Sequence, residues 1–155
     1  MKSYDELVND VLSRVGEIMP WDLKRLLADV NEILLLDVRE PDEFSMLHIP
    51  GSINVPRGIL EQSCEWDYDE TVAELASGRS REIVVICRSG KRSVLAADVM
   101  QLMGFSNVKS LKTGVRGWND FEQPLQNISG KLLDPDDVDI LLAPRVRPDQ
   151  RKPKP

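Results

Sequence analysis

The chain is poor in the residues that hold metals. Histidine occurs once, as His48, and cysteine twice, as Cys64 and Cys87, among 155 residues. One imidazole and two thiols do not make a four-ligand zinc site, and two thiols cannot build a disulfide framework, so no metal is expected. Long hydrophobic runs are missing too. The longest, Ile33-Leu34-Leu35-Leu36 and Ile83-Val84-Val85-Ile86-Cys87, fall far short of the ~18 residues that span a bilayer. Met1-Lys2-Ser3-Tyr4-Asp5-Glu6 is polar and mixed in sign, unlike a secretory leader. The expected setting is cytoplasmic, with no membrane partner. Excess positive charge is also lacking, since Lys and Arg number 20 against 26 Asp and Glu, a net charge of −6. Residues 144–155 are locally basic at +4, which leaves −10 on residues 1–143. An acidic body argues against nucleic acid as a partner. What remains is an ordinary globular composition, 41% hydrophobic and 30% charged, which excludes a wholly disordered chain.

Hydrophobic periodicity divides the chain into elements. Ser3 and Glu6 have the spacing of a capping box, and Leu7, Val8, Val11, Leu12 and Val15 follow at helical spacing, with Gly16 as the stop. A second amphipathic helix is expected over 21–27, opened near Pro20. The run 33–38 reads as a buried strand, 41–44 as the start of a short helix, 52–56 as a short strand and 69–76 as a helix. Residues 82–86 are the strongest strand because β-branched residues dominate it. A helix is expected from Ser93 to about Met103, ended by Gly104, followed by a strand over 107–111. Strands alternating with helices predict an α/β fold with a mainly parallel central sheet and helices on both faces. Five of the ten prolines fall in the last 21 residues. The expected organisation is an N-terminal helical extension over 1–17, one domain over 18–127, and a Pro-rich, basic tail over 128–155. Within that tail, 134–142 has the makings of one more helix; the rest is expected to be extended or disordered, or to serve as a contact arm for an acidic partner.

The chemistry concentrates in one loop. Cys87 lies at the carboxyl end of the strongest strand, where open α/β sheets bind ligands. Arg88, Lys91 and Arg92 bring three positive charges within five residues of the sulfur. The following helix aims its N-terminal N–H groups and positive dipole end at the loop. These features favour thiolate, the nucleophilic form of cysteine, and the same cradle attracts an anionic substrate. Gly90 permits backbone angles that let successive loop amides converge. The bland alternative is a small buried hydrophobe at a strand end, which leaves the basic, Gly-containing loop unexplained.

Cys87-Arg88-Ser89-Gly90-Lys91-Arg92-Ser93 resembles the active-site loop of rhodanese-type sulfurtransferases. Three further segments resemble that family in the expected order. They are Leu36-Asp37-Val38-Arg39-Glu40, His48-Ile49-Pro50-Gly51-Ser52-Ile53-Asn54-Val55-Pro56, and the Leu111 to Trp118 stretch. The resemblance covers about residues 18 to 125, a whole single rhodanese domain. Leu47 stands where the family often has glycine, and Thr113 replaces the first glycine of a Gly-Gly pair, leaving Gly114. Four residues separate Cys87 from Arg92; phosphatases with a related cradle have one more, which accommodates a tetrahedral phosphate or arsenate. The shorter loop therefore implies sulfur transfer.

The resemblance implies nucleophilic catalysis in two halves. Cys87 is the catalytic nucleophile, and Arg88, Ser89, Gly90, Lys91 and Arg92 bind a small anionic donor such as thiosulfate. Asp37, Arg39 and Ser93 support the loop. A Cys87 persulfide then passes its sulfur to cyanide in an assay, or to a thiol or protein cysteine, with no metal or organic cofactor. The alternative is a sulfur carrier that is loaded once and delivers to a protein partner. Among the other candidates, Cys64 is flanked by Glu61 and Glu65, which oppose a thiolate, so it reads as structural, with a sulfur relay as the alternative. Asp37 and Arg39 read as loop supports, with orientation of a basic side chain of the loop as the role open to Asp37. His48 reads as a turn anchor, Arg57 as a surface residue, and Trp21 and Trp118 as core aromatics.

Overall fold

The computed structural model describes residues 1–29 and 32–155. Five strands, β1 (Gly16–Ile18), β2 (Leu34–Asp37), β3 (Ile53–Asn54), β4 (Ile83–Ile86) and β5 (Val108–Leu111), form one parallel sheet in the order β1-β5-β4-β2-β3. This is the α/β class expected from the alternation of strand and helix. The central pair, β2 and β4, runs in register from Leu34 opposite Ile83 to Asp37 opposite Ile86, and every residue of both is buried. A strand covered on both faces has to be apolar on both, which is why these runs are continuous rather than alternating.

Side chains nonetheless alternate between two cores, as the pleat requires. Leu34, Leu36, Ile83 and Val85 face one cluster, with Val8 and Val11 of α1 (Tyr4–Leu12), Leu60 of α4 (Leu60–Ser63), Leu75 of α5 (Ala73–Ala76) and Met100 of α6 (Lys91–Leu102). Leu35, Val84 and Ile86 face the other, with Leu23 of α2 (Pro20–Asp29), Trp118 of α7 (Gly114–Asp120), and Val138 and Leu142 of α8 (Pro135–Leu142). The remaining helix, α3 (Pro41–Met46), lies just beyond β2 and leads into the buried Leu47 and Ile49.

The helices outside the central stretch are locally specified and firmly attached. The α1 capping box forms, with the Glu6 N–H donating to Ser3 Oγ and the Ser3 N–H to the Glu6 carboxylate. Arg14, just past α1, grips Asp98 of α6 through two hydrogen bonds of 2.6 and 3.0 Å. Asp134 caps α8 by accepting from the Asp136 N–H, with Pro135 in the first turn where its missing N–H costs nothing. Asn119 of α7 donates to Pro135 O and Asp139 Oδ1, both at 3.0 Å.

Four expectations are corrected. Gly16 does not end the first helix, which stops at Leu12; it begins β1, whose only buried residue is Ile18 and which exists through its pairing with β5. The helix expected over 69–76 shrinks to Ala73–Ala76, because the Thr71 hydroxyl donates to Glu65 O at 2.6 Å and holds a turn there. The helix expected from Ser93 begins at Lys91. Trp21 is 47% exposed and meets Phe121 edge-on at 6.0 Å, while Leu23 supplies the buried face of α2; Trp118 is buried. No helix among the described residues is long and apolar enough to cross a membrane.

Candidate active site

Period-two alternation returns the residue after Ile86 to the first core, so Cys87 turns its side chain toward the α6 face at the carboxyl end of β4. The residue is only 1% exposed. Its sulfur is nevertheless met by polar groups. The Gly90 N–H donates to Cys87 Sγ at 3.1 Å, and Ser93 Oγ lies 3.2 Å from the same sulfur. Ser93 Oγ is in turn 2.7 Å from Ser110 Oγ on β5, and both serines are fully buried. The N-terminus of α6, a helix of 12 residues, opens directly against this sulfur. Its partial positive charge adds to the amide donor there.

Two glycines make the loop possible. Gly90 caps α6 with φ +96, and a Cβ there would sit 3.0 Å from Thr113 N and 3.3 Å from Leu111 O. Gly114 has φ +60, and a Cβ would come within 2.4 Å of Cys87 O. Its absence lets the first turn of α7 clasp the loop from behind, with the Val115 N–H donating to Cys87 O at 3.0 Å and the Arg116 N–H to Arg88 O at 3.1 Å. Thr113, in the place of the other glycine, takes φ +70, a left-handed conformation that a β-branched residue rarely adopts.

The three cations of the loop point to three separate partners. Arg88 Nη2 donates to Leu142 O at the end of α8. Lys91 Nζ donates to Asp5 Oδ1 at 2.6 Å and stands over the Tyr4 ring, 5.6 Å from its centre. Arg92 makes a two-pronged pair with Glu43 of α3, both contacts 2.8 Å. That pair holds the Glu43 carboxyl below the usual carboxylate range and pushes Arg92 up, Cys87 adding to the latter. The phenol of Tyr4 is raised, first by burial and next by the negative charge Cys87 would carry, so α1 begins within the electrostatic reach of the sulfur. Ser89, between Arg88 and Gly90, is part of the turn itself.

Asp37 and Arg39 form a closed pair at the carboxyl end of β2, where Asp37 lies opposite Ile86 of β4. Asp37 accepts from the Arg39 N–H at 3.0 Å, from Nε at 3.0 Å and from Nη2 at 2.8 Å, and both side chains are almost wholly buried. Arg39 Nη2 also donates to Leu47 O at 2.7 Å, and Asn54 Nδ2 donates to both Asp37 O and Arg39 O. Asp37 therefore orients Arg39 rather than a cation of the loop; Glu43 does that for Arg92. His48 is tied to its turn, with Nδ1 2.8 Å from Phe44 O and the ring stacked on Phe44 at 3.9 Å. Arg57 pairs with Glu61. Cys64 is buried, and burial pushes its thiol up to about 11.

Sequence reasoning missed Ser110, Glu43, Tyr4 and Asp5. Only Ser110 carried a signal, as a serine two positions after the buried Val108, on the side of β5 that alternation turns inward. Among the described residues no three of His, Cys, Asp and Glu gather as metal ligands.

Known proteins are similar to this chain. Residues 19–121 match the model of the rhodanese-like domain. The putative sulfur carrier protein YrkF of Bacillus subtilis is 34% identical over 106 residues, a match covering 68% of this chain and 52% of that protein. The chain thus spans about half the length of that relative. The thiosulfate:glutathione sulfurtransferase of Saccharomyces cerevisiae is 33% identical over 102 residues, covering 63% of this chain and 73% of that enzyme. Among solved structures, RPA3614 of Rhodopseudomonas palustris, a protein of unknown function described as a possible tyrosine phosphatase, superposes with a TM-score of 0.74. It covers 81% of this chain and 96% of its own at 24% identity, which speaks for the fold alone. With its parallel sheet, its loop of Cys87 to Arg92 and a family match over two-thirds of its length, the chain belongs to the rhodanese-like domain family.

Proposed function

We propose that the protein is a sulfurtransferase that carries sulfane sulfur on Cys87 and takes it from thiosulfate or a persulfide donor. The observation that carries this reading is the polar seat of the sulfur, a Gly90 N–H at 3.1 Å and a Ser93 hydroxyl at 3.2 Å at the start of a helix. In the first half-reaction the Cys87 thiolate attacks the outer sulfur of thiosulfate. The S–S bond of the donor breaks and its electron pair leaves with sulfite. The charge building on sulfite is offset by the guanidinium and ammonium groups of Arg88, Lys91 and Arg92. The loop amides of residues 88–92 and the Ser93 hydroxyl hold the negative persulfide, in the way an oxyanion hole holds a developing charge. In the second half-reaction a nucleophile takes the outer sulfur and Cys87 returns as thiolate. Asp37 and Arg39 serve by holding the end of β2.

A second reading, a carrier that delivers sulfur only to a protein partner, is favoured by the 1% exposure of Cys87 and by the pairing of Lys91 and Arg92 with carboxylates. The two readings separate by turnover. An enzyme converts thiosulfate and cyanide many times per site; a carrier loads once and releases to its partner. The decisive experiment is incubation with thiosulfate followed by intact mass measurement. One added sulfur atom, removable by cyanide and absent in Cys87→Ser, is the expected result. A Cys87→Ser protein that still loads sulfur or still turns over thiosulfate and cyanide refutes the assignment.

A further inference from the structure

Ser110 is a hydroxyl in an apolar place. It lies on β5 opposite Val85 of β4, two positions after the buried Val108, and both of those valines belong to the core on the α6 side of the sheet, toward which Cys87 also turns. The residue is fully buried. Burying a hydroxyl is unfavourable unless a partner satisfies it. Alanine or valine would fill the position without that need. The partner of the Ser110 side chain is Ser93 Oγ at 2.7 Å, and Ser93 Oγ lies 3.2 Å from Cys87 Sγ. Among the described residues no buried side-chain nitrogen or oxygen lacks a partner, so the two hydroxyls and the sulfur form one continuous chain across β5, α6 and the end of β4.

Hydrogen counting gives the chain its direction. A thiolate only accepts, and each serine has a single hydroxyl hydrogen to donate. To serve the ionised sulfur, Ser93 turns its hydrogen onto Sγ, and its oxygen is then left to accept. Ser110 donates to that oxygen, so the order runs from Ser110 to Ser93 to Sγ. In the opposite order Ser93 donates to Ser110, and the anion loses this donor. Donation from Ser110 also polarises the Ser93 hydroxyl and strengthens its bond to the sulfur, an effect that a buried, water-free site preserves. The geometry points to Ser110 as a positioning residue, which holds the Ser93 hydroxyl in the orientation that donates to the Cys87 sulfur whenever that sulfur carries negative charge. In sulfur transfer the charge sits on Sγ twice, before attack on the donor and again as Sγ leaves the persulfide. This bearing on the reaction rests on the reading of Cys87 proposed above.

The test follows the NMR signal of the Cys87 Cβ carbon against pH, with no sulfur donor present. Ser110→Ala removes one atom and keeps every backbone bond of β5. Its ionisation midpoint is expected to rise by about half a pH unit, a threefold change that is a fraction of the effect of a whole hydrogen bond to a charged group. Ser110→Thr keeps the hydroxyl and is expected to titrate as the wild type does. In a Ser93→Ala background the change at 110 is expected to add no further shift, because Ser110 acts through Ser93. Tyr4 and Asp5 of α1, Glu43 of α3, the Asp37–Arg39 pair at the end of β2, and Arg88, Lys91 and Arg92 beside the sulfur are the same in every variant, so they set the wild-type midpoint and drop out of the shift. Hydroxyls that serve only packing would alter urea unfolding and leave the midpoint in place. An unmoved midpoint in Ser110→Ala, an equal rise in the Ser93→Ala background, or a Ser110→Thr protein that titrates like Ser110→Ala overturns the inference. Because the midpoint needs no donor, the two readings fail separately. A wild-type Cys87 that never loads from thiosulfate defeats sulfur transfer and leaves the hydroxyl chain standing, whereas an unmoved midpoint defeats the chain alone.

Discussion

Replacing Asp37 by alanine strands the Arg39 guanidinium, and the cost can be worked from the structure. Arg39 is 1% exposed and its partner 0%. The substitution removes the acceptor of the Arg39 N–H, of Nε and of the 2.8 Å bond from Nη2, and leaves only Leu47 O to the charged group. Removing one partner of a buried pair typically costs about 3–5 kcal/mol, because the remaining charge stays desolvated and uncompensated. For a chain of this size that corresponds to a Tm lower by about 6–20 °C. Urea unfolding followed by circular dichroism measures the loss. The double variant Asp37→Leu with Arg39→Met removes both charges and is expected to recover most of it, since replacing a whole buried pair with apolar groups is often neutral. A loss in Asp37→Ala below about 1 kcal/mol, the range of a hydrated surface pair, would refute the closed pair described above. Activity adds a second reading. A double variant that folds and still loads sulfur on Cys87 supports a holding role for both residues; one that folds but does not load sulfur would mean that one of them takes part in the reaction.

Ser93→Ala removes a hydroxyl 3.2 Å from the Cys87 sulfur. Single-turnover loading with thiosulfate is expected to slow about tenfold, the scale of a hydrogen bond to a charged group, and an unchanged rate would exclude that contact from the reaction. Asp5→Asn releases Lys91 from its 2.6 Å partner. Loading by the dianionic donor is expected to quicken about twofold at low ionic strength and to lose that gain in high salt, so a salt-independent gain or a slower rate would count against electrostatic masking. Cys64, whose thiol is pushed up from 9.0 to about 11 by burial, binds its proton more tightly folded than unfolded. Its contribution to stability is therefore complete below pH 9 and declines as pH rises toward 11, by about 2–3 kcal/mol in all. Urea unfolding across that range should show the fall in the wild type beyond that in Cys64→Val; equal slopes would refute it.

Much of this protein was legible in its residues because the causes are local. The β-branched run of Ile83–Ile86, the left-handed Gly90 and the helix that follows it are set within a few positions of one another, so the place of Cys87 at the strand end before a helix could be read from a dozen consecutive residues. The capping box of α1 and the Asp-Pro start of α8 are equally short-range. The tertiary structure alone decided the rest. β1 shows no pattern, since a three-residue edge strand with one buried position becomes a strand only when β5 offers it hydrogen bonds. The cations of the loop carry no mark of their partners. Asp5 lies 86 positions from Lys91, Glu43 49 from Arg92, and Leu142 54 from Arg88. Charge is a property of a side chain, but what that charge faces depends on how helices from distant parts of the chain pack around one sheet edge. Sequence periodicity records which face a residue turns to the core and does not record which neighbour waits at its tip.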